Sequence, residues 1–222
     1  MVDVGAPEVR LLGRPAVRDG TAWVELPPGK SSAIALYLAV VGGWVGRDAL
    51  GYLFWPDEPQ ARARSNLRAL TWRLAHAPHT CRLERERTRL RWPVSTDVTD
   101  VRRAFHEGHW HRSWSLAREE LLAGFSVPEA PEFERWLEAE RSDLSDLARR
   151  AGLRAIETSV AAADLDTAVE VAGTLHRSDP LDEMVLRMYL VVLARSGERH
   201  ELLAVYDRFR RDLVVELEVE PE

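Results

Sequence analysis

Apolar residues recur with two different periods along this chain, and the change falls near residue 95. Before it, short alternating stretches are interleaved with helical ones; from Asp97 onward the spacing is helical and no strand signal remains. The spacing predicts a mainly α fold with a small β part, residues 1–95 forming one module and 96–222 an all-helical second one. In the first module Val9, Leu11 and Val17 flank a Gly13–Arg14–Pro15 break, Asp19–Gly20 is a hairpin signal, and Ala22, Val24 and Leu26 alternate. A helix capped by Ser31 or Ser32 runs to about Val41 and ends at Gly42–Gly43. A second opens at Arg47–Asp48 and stops at Trp55–Pro56–Asp57, because proline disfavours the α region for the residue before it. A third runs from about Pro59 to Ala77, with Asp57 and Glu58 at its amino end. Residues 81–92 alternate again, with Cys81, Leu83, Leu90 and Trp92 on one side, and predict a two-stranded ribbon whose tip is about Arg85 to Thr88. Strands, three helices and a ribbon, in that order, are the layout of a winged helix-turn-helix.

The second module reads as helices at about 97–107, 112–122, 132–161, 164–177, 181–196 and 198–216, broken at Ala163–Asp164, Asp179–Pro180 and Ser196–Gly197. Three apolar sets fall at three- and four-residue spacing: Ala168, Ala172, Leu175; Leu186, Tyr189, Leu193; Leu203, Tyr206, Phe209. Consecutive helical hairpins of about 35 residues resemble tetratricopeptide units.

Charge separates the same two parts. The chain of 222 residues has a net charge of −6, but residues 1–92 hold 14 basic against 9 acidic side chains and residues 93–222 hold 16 against 27. A module at +5 joined to one at −11 suggests different partners, and the basic one suits phosphates. A lone Cys81 excludes a disulfide framework and a cysteine-based zinc site. The longest apolar run, Ala33 to Val41, is too short to cross a bilayer, and the amino terminus has no long apolar signal-peptide core. The expected location is the cytoplasm, with no membrane partner.

Helix 59–77 carries the functional argument. Ala63, Leu67, Leu70 and Leu74 make its inward face, which leaves Arg62, Ser65, Arg68, Ala69, Trp72 and Arg73 on the other side, with Arg64 adjacent and no acid among them. Arginine pairs bidentately with guanine O6 and N7 or neutralises phosphates, and small residues allow close approach to a groove wall. A merely basic surface helix is the competing reading. The ribbon that follows, with Arg85, Arg87, Thr88, Arg89 and Arg91, shifts the balance toward DNA, since such a tip grips the backbone or enters a minor groove.

Other signals point away from catalysis and cofactors. Gly29–Lys30–Ser31 lacks the earlier glycine of a phosphate loop, position 24 being Val24. His106, His109 and His111 straddle Gly108 at a spacing that fits no standard zinc site. The acids from Glu134 to Asp146 alternate with arginines as on an ordinary salt-bridged helix. No nucleophile–base constellation stands out, so neither an enzyme nor a bound cofactor is expected.

The combination of motifs resembles the Streptomyces antibiotic regulatory protein family of transcriptional activators. The resemblance rests on Leu11–Leu12–Gly13, Lys30 before Leu36–Tyr37–Leu38–Ala39, Arg47–Asp48–Ala49–Leu50, Phe54–Trp55–Pro56–Asp57 and Ala63–Arg64–Ser65–Asn66–Leu67–Arg68. It continues through Asp97–Val98, Gly124–Phe125, Glu134–Arg135–Trp136, Glu140–Arg141, Asp179–Pro180–Leu181–Asp182–Glu183, Gly197–Glu198, Tyr206 and Glu216–Leu217 to Glu220–Pro221. The chain departs from that family in having Arg89–Leu90 where a glycine–tyrosine pair is common on the second wing strand. The resemblance implies a winged helix whose third helix reads the major groove of double-stranded DNA and whose wing meets the minor groove. It further implies a bacterial transcriptional activator domain that supports self-association as a homodimer and contacts RNA polymerase. The DNA-contacting set expected on this basis is Arg62, Arg64, Ser65, Arg68, Trp72, Arg73, Arg85, Arg87, Thr88 and Arg89. The alternative is a protein–protein adaptor whose winged helix no longer binds DNA.

Overall fold

A computed structural model describes residues 8–76 and 83–217, the side chains of 212–217 excepted. Cys81, expected on the wing, and the motif at Glu220–Pro221 lie outside the described residues. The chain opens with an antiparallel sheet of β1 (Val9–Arg10), β2 (Ala16–Asp19) and β3 (Ala22–Glu25), in that spatial order. Gly20 turns the second hairpin. Helix α1 (Lys30–Val41) is buried almost all round, so it fills the core instead of covering it. Neither Ser31 nor Ser32 caps it. The cap lies two to three residues earlier than expected, at Gly29, whose carbonyl accepts the Ala33 N–H, which leaves both serines inside the first turn. Gly42 ends α1 in the left-handed conformation that glycine adopts without steric cost.

A short strand β4 (Val45–Gly46) leads into α2 (Arg47–Phe54) and, past Pro56, α3 (Gln60–His76). Lys30 Nζ donates to the Phe54 carbonyl at 2.8 Å and lies 5.3 Å from the Trp55 ring. That places a cation on the negative end of α2, which accounts for the lysine that the phosphate-loop reading left unexplained. The wing hairpin, β5 (Glu84–Arg85) and β6 (Arg89–Arg91), joins β4 in a second sheet ordered β4–β6–β5. Leu83, Leu90 and Trp92 are buried beneath it. The first part is thus a winged helix-turn-helix.

The rest is helical: α4 (Asp97–His106), α5 (Trp110–Leu116), α6 (Pro131–Ala161), α7 (Leu165–Ser178), α8 (Glu183–Ser196) and α9 (Arg199–Leu217). Two expectations need correction. The helix expected over 112–122 covers Trp110–Leu116, because the following residues hydrogen-bond instead to the first sheet. Gly13 N–H donates to Glu120 O, Leu122 N–H to Leu11 O and Ala123 N–H to Gly13 O, and Leu12 bridges Leu121. Arg141 donates to the carbonyls of Leu121 and Leu122 and so satisfies what a helix would have satisfied. On α9 the buried stripe is Val205 and Phe209 with Leu202 beside them, while Leu203 and Tyr206 face outward; α9 packs mainly on α8, so one stripe suffices.

Two hydrophobic cores share one helix. The first joins both sheets, α1–α4 and the amino-terminal half of α6 through Phe133, Leu137 and Leu144. The second joins the carboxy-terminal half of α6, through Ala151, Ala155 and Ile156, to α5 and α7–α9. At Gly152 a Cβ would lie 2.8 Å from side-chain carbons of both Trp114 and Leu175, so α6 passes its neighbours at a distance that glycine allows. Short connections after α6, α7 and α8 give the antiparallel, tetratricopeptide-like hairpins. Among the described residues no helix is long and apolar enough to cross a membrane.

Asp97 ties the first sheet to α4. Its carboxylate accepts from the backbone N–H groups of Leu11, Leu12 and Val98 at 2.9–3.1 Å. Burial raises its pKa above the ordinary carboxylate value, and the amide donors offset part of that rise. Asp97→Asn, which turns a donor toward these amides, is expected to lower stability by about 1–3 kcal/mol in urea unfolding. With a raised folded-state pKa, the wild-type contribution declines as pH climbs from the unfolded carboxylate value through the folded one. Its stability margin over Asp97→Asn should therefore narrow across that window.

Candidate nucleic-acid interface

Helix α3 presents two faces to two environments. Ala63, Leu67, Thr71 and Leu74 are buried, while Leu70, expected inward, is half-buried at the margin. Thr71 takes the remaining inward position because its hydroxyl donates to the Arg68 carbonyl and so enters the core satisfied. Arg62, Arg64, Ser65, Arg68, Ala69, Trp72 and Arg73 are all exposed. Ser65, Arg68 and Trp72, at intervals of three and four, form the centre of the outward face. Trp72 is 59% exposed and its ring lies 4.3 Å from that of His76.

Ion pairing sorts the seven arginines of the expected set into two groups. Arg62 pairs with Glu58 at 3.3 Å, one turn earlier on the chain. Arg64 makes a two-pronged bond to Asp48 of α2 at 2.9 and 3.0 Å, and that bond holds the Asp48 carboxyl below its usual range. Arg89 is bound to Glu86 at 2.6 and 3.1 Å and lies 4.5 Å from the Trp44 ring centre. Arg91 pairs likewise with Glu84 and stacks on the same tryptophan. One face of the wing is consequently a closed ladder of acid, arginine and ring. Arg68, Arg73, Arg85 and Arg87 have no ion pair or side-chain hydrogen bond among the described residues.

Arg47, at the start of α2, was not among the expected site residues. Its N–H donates to Thr88 O at 2.8 Å and its Nε to Glu86 O at 3.2 Å, so it fastens the wing tip to the helix-turn-helix. Burial first, then the like charges of Arg85 and Arg68, hold its guanidinium below the ordinary value. Periodicity marks Arg47 only as a helix opener; its place beside the wing follows from the β4–β6 pairing, Gly46 opposite Arg89. Between α3 and the wing lies a cleft of about 450 Å³, with Arg47, Arg64, Arg68, Arg87 and Thr88 in its walls beside the acids Asp48 and Glu86.

Within the cleft Asp48 is taken up by Arg64 and Glu86 by Arg89, so the cations left without an acidic partner among the described residues are Arg68 and Arg87, with Arg47 held to the wing backbone. A guanidinium in such a position has hydrogen-bond donors to offer an anion. His106, His109 and His111 lie on the other side of residue 96 and are dispersed, His109 facing Glu107 at 3.3 Å and His111 near Trp114. Among the described residues no group of three His, Cys, Asp or Glu is arranged to hold a metal.

Residues 94–222 match the family model described as the bacterial transcriptional activator domain. No curated protein sequence matches the chain. Among solved structures the fold is similar to that of EmbR from Mycobacterium tuberculosis, determined in complex with a low-affinity phosphopeptide, with a TM-score of 0.61 and 17% identity. The match covers 97% of this chain and 62% of that one, so this chain spans less than two thirds of that protein's length. At this identity the likeness is one of fold.

Arg47→Ala removes the side-chain tie to Glu86 O and leaves the strand pairing in place. Hydrogen exchange of residues 84–90 should then accelerate while α3 keeps its protection, as read by mass spectrometry of peptides from each segment.

Proposed function

From the premise that the chain belongs to the bacterial transcriptional activator domain family, we propose that it is a sequence-specific double-stranded DNA-binding transcriptional activator. The winged helix ahead of that domain gives the layout that the resemblance to the Streptomyces antibiotic regulatory proteins implied. The observation that carries the reading is a set of four cations, Arg68, Arg73, Arg85 and Arg87, without an ion pair among the described residues and grouped on α3 and the wing, while neighbouring arginines are neutralised. Residues 1–95 act as the reader and 96–222 as the activator domain. Arg68, with Ser65 and Trp72 beside it, contacts bases in the major groove. Arg73, Arg85, Arg87, Thr88 and the clamp residue Arg47 hold phosphates, and the paired Arg62, Arg64 and Arg89 shape the surface and reach DNA second. The activator domain contacts RNA polymerase, and a homodimer places two readers on half-sites about one helical turn apart. The protein acts in the cytoplasm, as a regulator rather than an enzyme.

Selection of bound duplexes from a random pool tests this reading: enrichment of one motif, single or repeated at helical spacing, supports it. Equal affinity for the selected and a scrambled duplex at every salt concentration overturns it and leaves the adaptor alternative. Arg68→Ala should cost about 1–3 kcal/mol of binding and relax the preference at one base position. Arg87→Ala should weaken all sequences alike and reduce the salt slope by about one, whereas Arg89→Ala, already neutralised by Glu86, should change the slope much less.

A further inference from the structure

Helix α8 has more apolar surface than its own core uses. Val185, Leu186, Tyr189, Val192 and Leu193 are buried against its neighbours. A second stripe, Met184, Met188 and Val191, follows at spacings of four and three and runs on to Arg195. Met184 is 57% and Val191 48% exposed. Met188 and Val191 of this stripe line a groove of about 250 Å³ between α6 and α8, whose floor includes Ile156 and Val160 and whose rim carries Arg187 and Arg195. Because α6–α7 and α7–α8 are antiparallel hairpins, α6 and α8 run in the same direction, and the groove lies between residues 156–160 of α6 and 187–195 of α8.

The charges on this furrow oppose those of the module around it. The carboxy-terminal part of the chain carries 27 acidic against 16 basic side chains. Yet Arg187 and Arg195 have no ion pair or hydrogen bond through their guanidinium groups among the described residues, and the rim acid Glu157 is already held by Arg154 at 2.8 Å. An apolar floor containing an adaptable methionine, edged by unpartnered arginines, is complementary to one kind of surface. We propose that the α6–α8 groove docks an amphipathic helix of a partner protein, with apolar residues along one face and acidic residues flanking them. The aliphatic anchors, at i, i+4 and i+7, replace water over Val191, Met188 and Val160. The acids pair with Arg187 and Arg195 at the rim, which sets the direction and register of the docked helix.

The test uses the full chain and a labelled synthetic peptide of about 15 residues, with leucines at i, i+4 and i+7 and glutamates on both flanks. It is run beside a lysine-flanked version and a version with serine in place of leucine. In fluorescence anisotropy the glutamate peptide is expected to bind at least about tenfold more tightly than either control, and more weakly as salt rises. Val191→Asp and the double variant Arg187→Glu/Arg195→Glu should each reduce its affinity about tenfold or more, the latter reversing the preference toward the lysine peptide. Duplex binding by both variants should equal that of the wild type, which separates failure here from failure of the DNA-reading proposal. All these positions are exposed, and a circular dichroism spectrum confirms that each variant is folded. If Val191→Asp unfolds, the charge-reversal variant decides alone. Equal binding of the glutamate and lysine peptides, or undiminished binding by the charge-reversal variant, overturns the proposal. So does sedimentation showing a wild-type dimer that Val191→Asp dissociates, since the groove then belongs to a second copy.

Discussion

Phe133 is the residue through which the two halves of the molecule are held in one arrangement. It is fully buried, 5.3 Å from Phe54 at the end of α2, 6.4 Å from Phe125 and 5.5 Å from Trp136, which in turn meets Tyr37 of α1 at 4.5 Å. Each buried ring contributes on the order of 1.5–3 kcal/mol by burial, and each ring pair adds about 0.5–1.5 kcal/mol. Because Phe54 ends the same helix that Arg47 and Asp48 begin, anchoring it on α6 also fixes the wall of the cationic cleft. Arg102 strengthens the join: it donates to the Val40 carbonyl and to Glu140. A reader mounted in this way moves with α6 and cannot swivel on a linker.

Electrostatics then decides which cations on the reader are available. An exposed ion pair contributes little to stability, but it removes a charge from the surface potential. On the wing, alternation sends Glu84, Glu86, Arg89 and Arg91 to one side, where they neutralise each other over Trp44, and leaves Arg85 and Arg87 without an ion pair among the described residues. On α3, Arg64 is drawn aside by Asp48 and Arg62 by Glu58. A net count of +5 over residues 1–92 conceals this division, since it spreads over the module a charge that the structure concentrates on α3 and the wing tip.

Much of this was legible in the residues because the signals were local. Glycine and proline marked the ends of α1 and α2, period-two spacing marked β2, β3 and the wing, and the faces of α3 followed from its winding. What escaped depended on contacts between distant segments. The turn after Leu116 is irregular because Leu11 and Gly13, about a hundred residues earlier, supply its hydrogen-bond partners. Arg47 became part of the candidate site through strand pairing that no spacing encodes. Thr71, buried on the inward side of α3, gives no signal in an apolar pattern, because the Arg68 carbonyl that satisfies its hydroxyl belongs to the same helix. On α9 the sequence offers two adjacent apolar stripes, and the position of α8 selects between them.

The long helix links the two surfaces. With 31 residues, α6 extends about 46 Å. Its first half is packed beneath the helix-turn-helix, and its second half forms one wall of the apolar groove beside α8. A partner helix in that groove and a duplex on α3 would therefore be held at a fixed separation and angle by a single rigid element whose two ends lie in different cores. No change of shape is needed to connect the sites, because positioning alone raises the effective concentration of whatever is bound at one end near the other. If the two proposals hold, a basic winged helix and an acidic helical scaffold joined in this way would convert binding at a DNA site into placement of a second protein beside it.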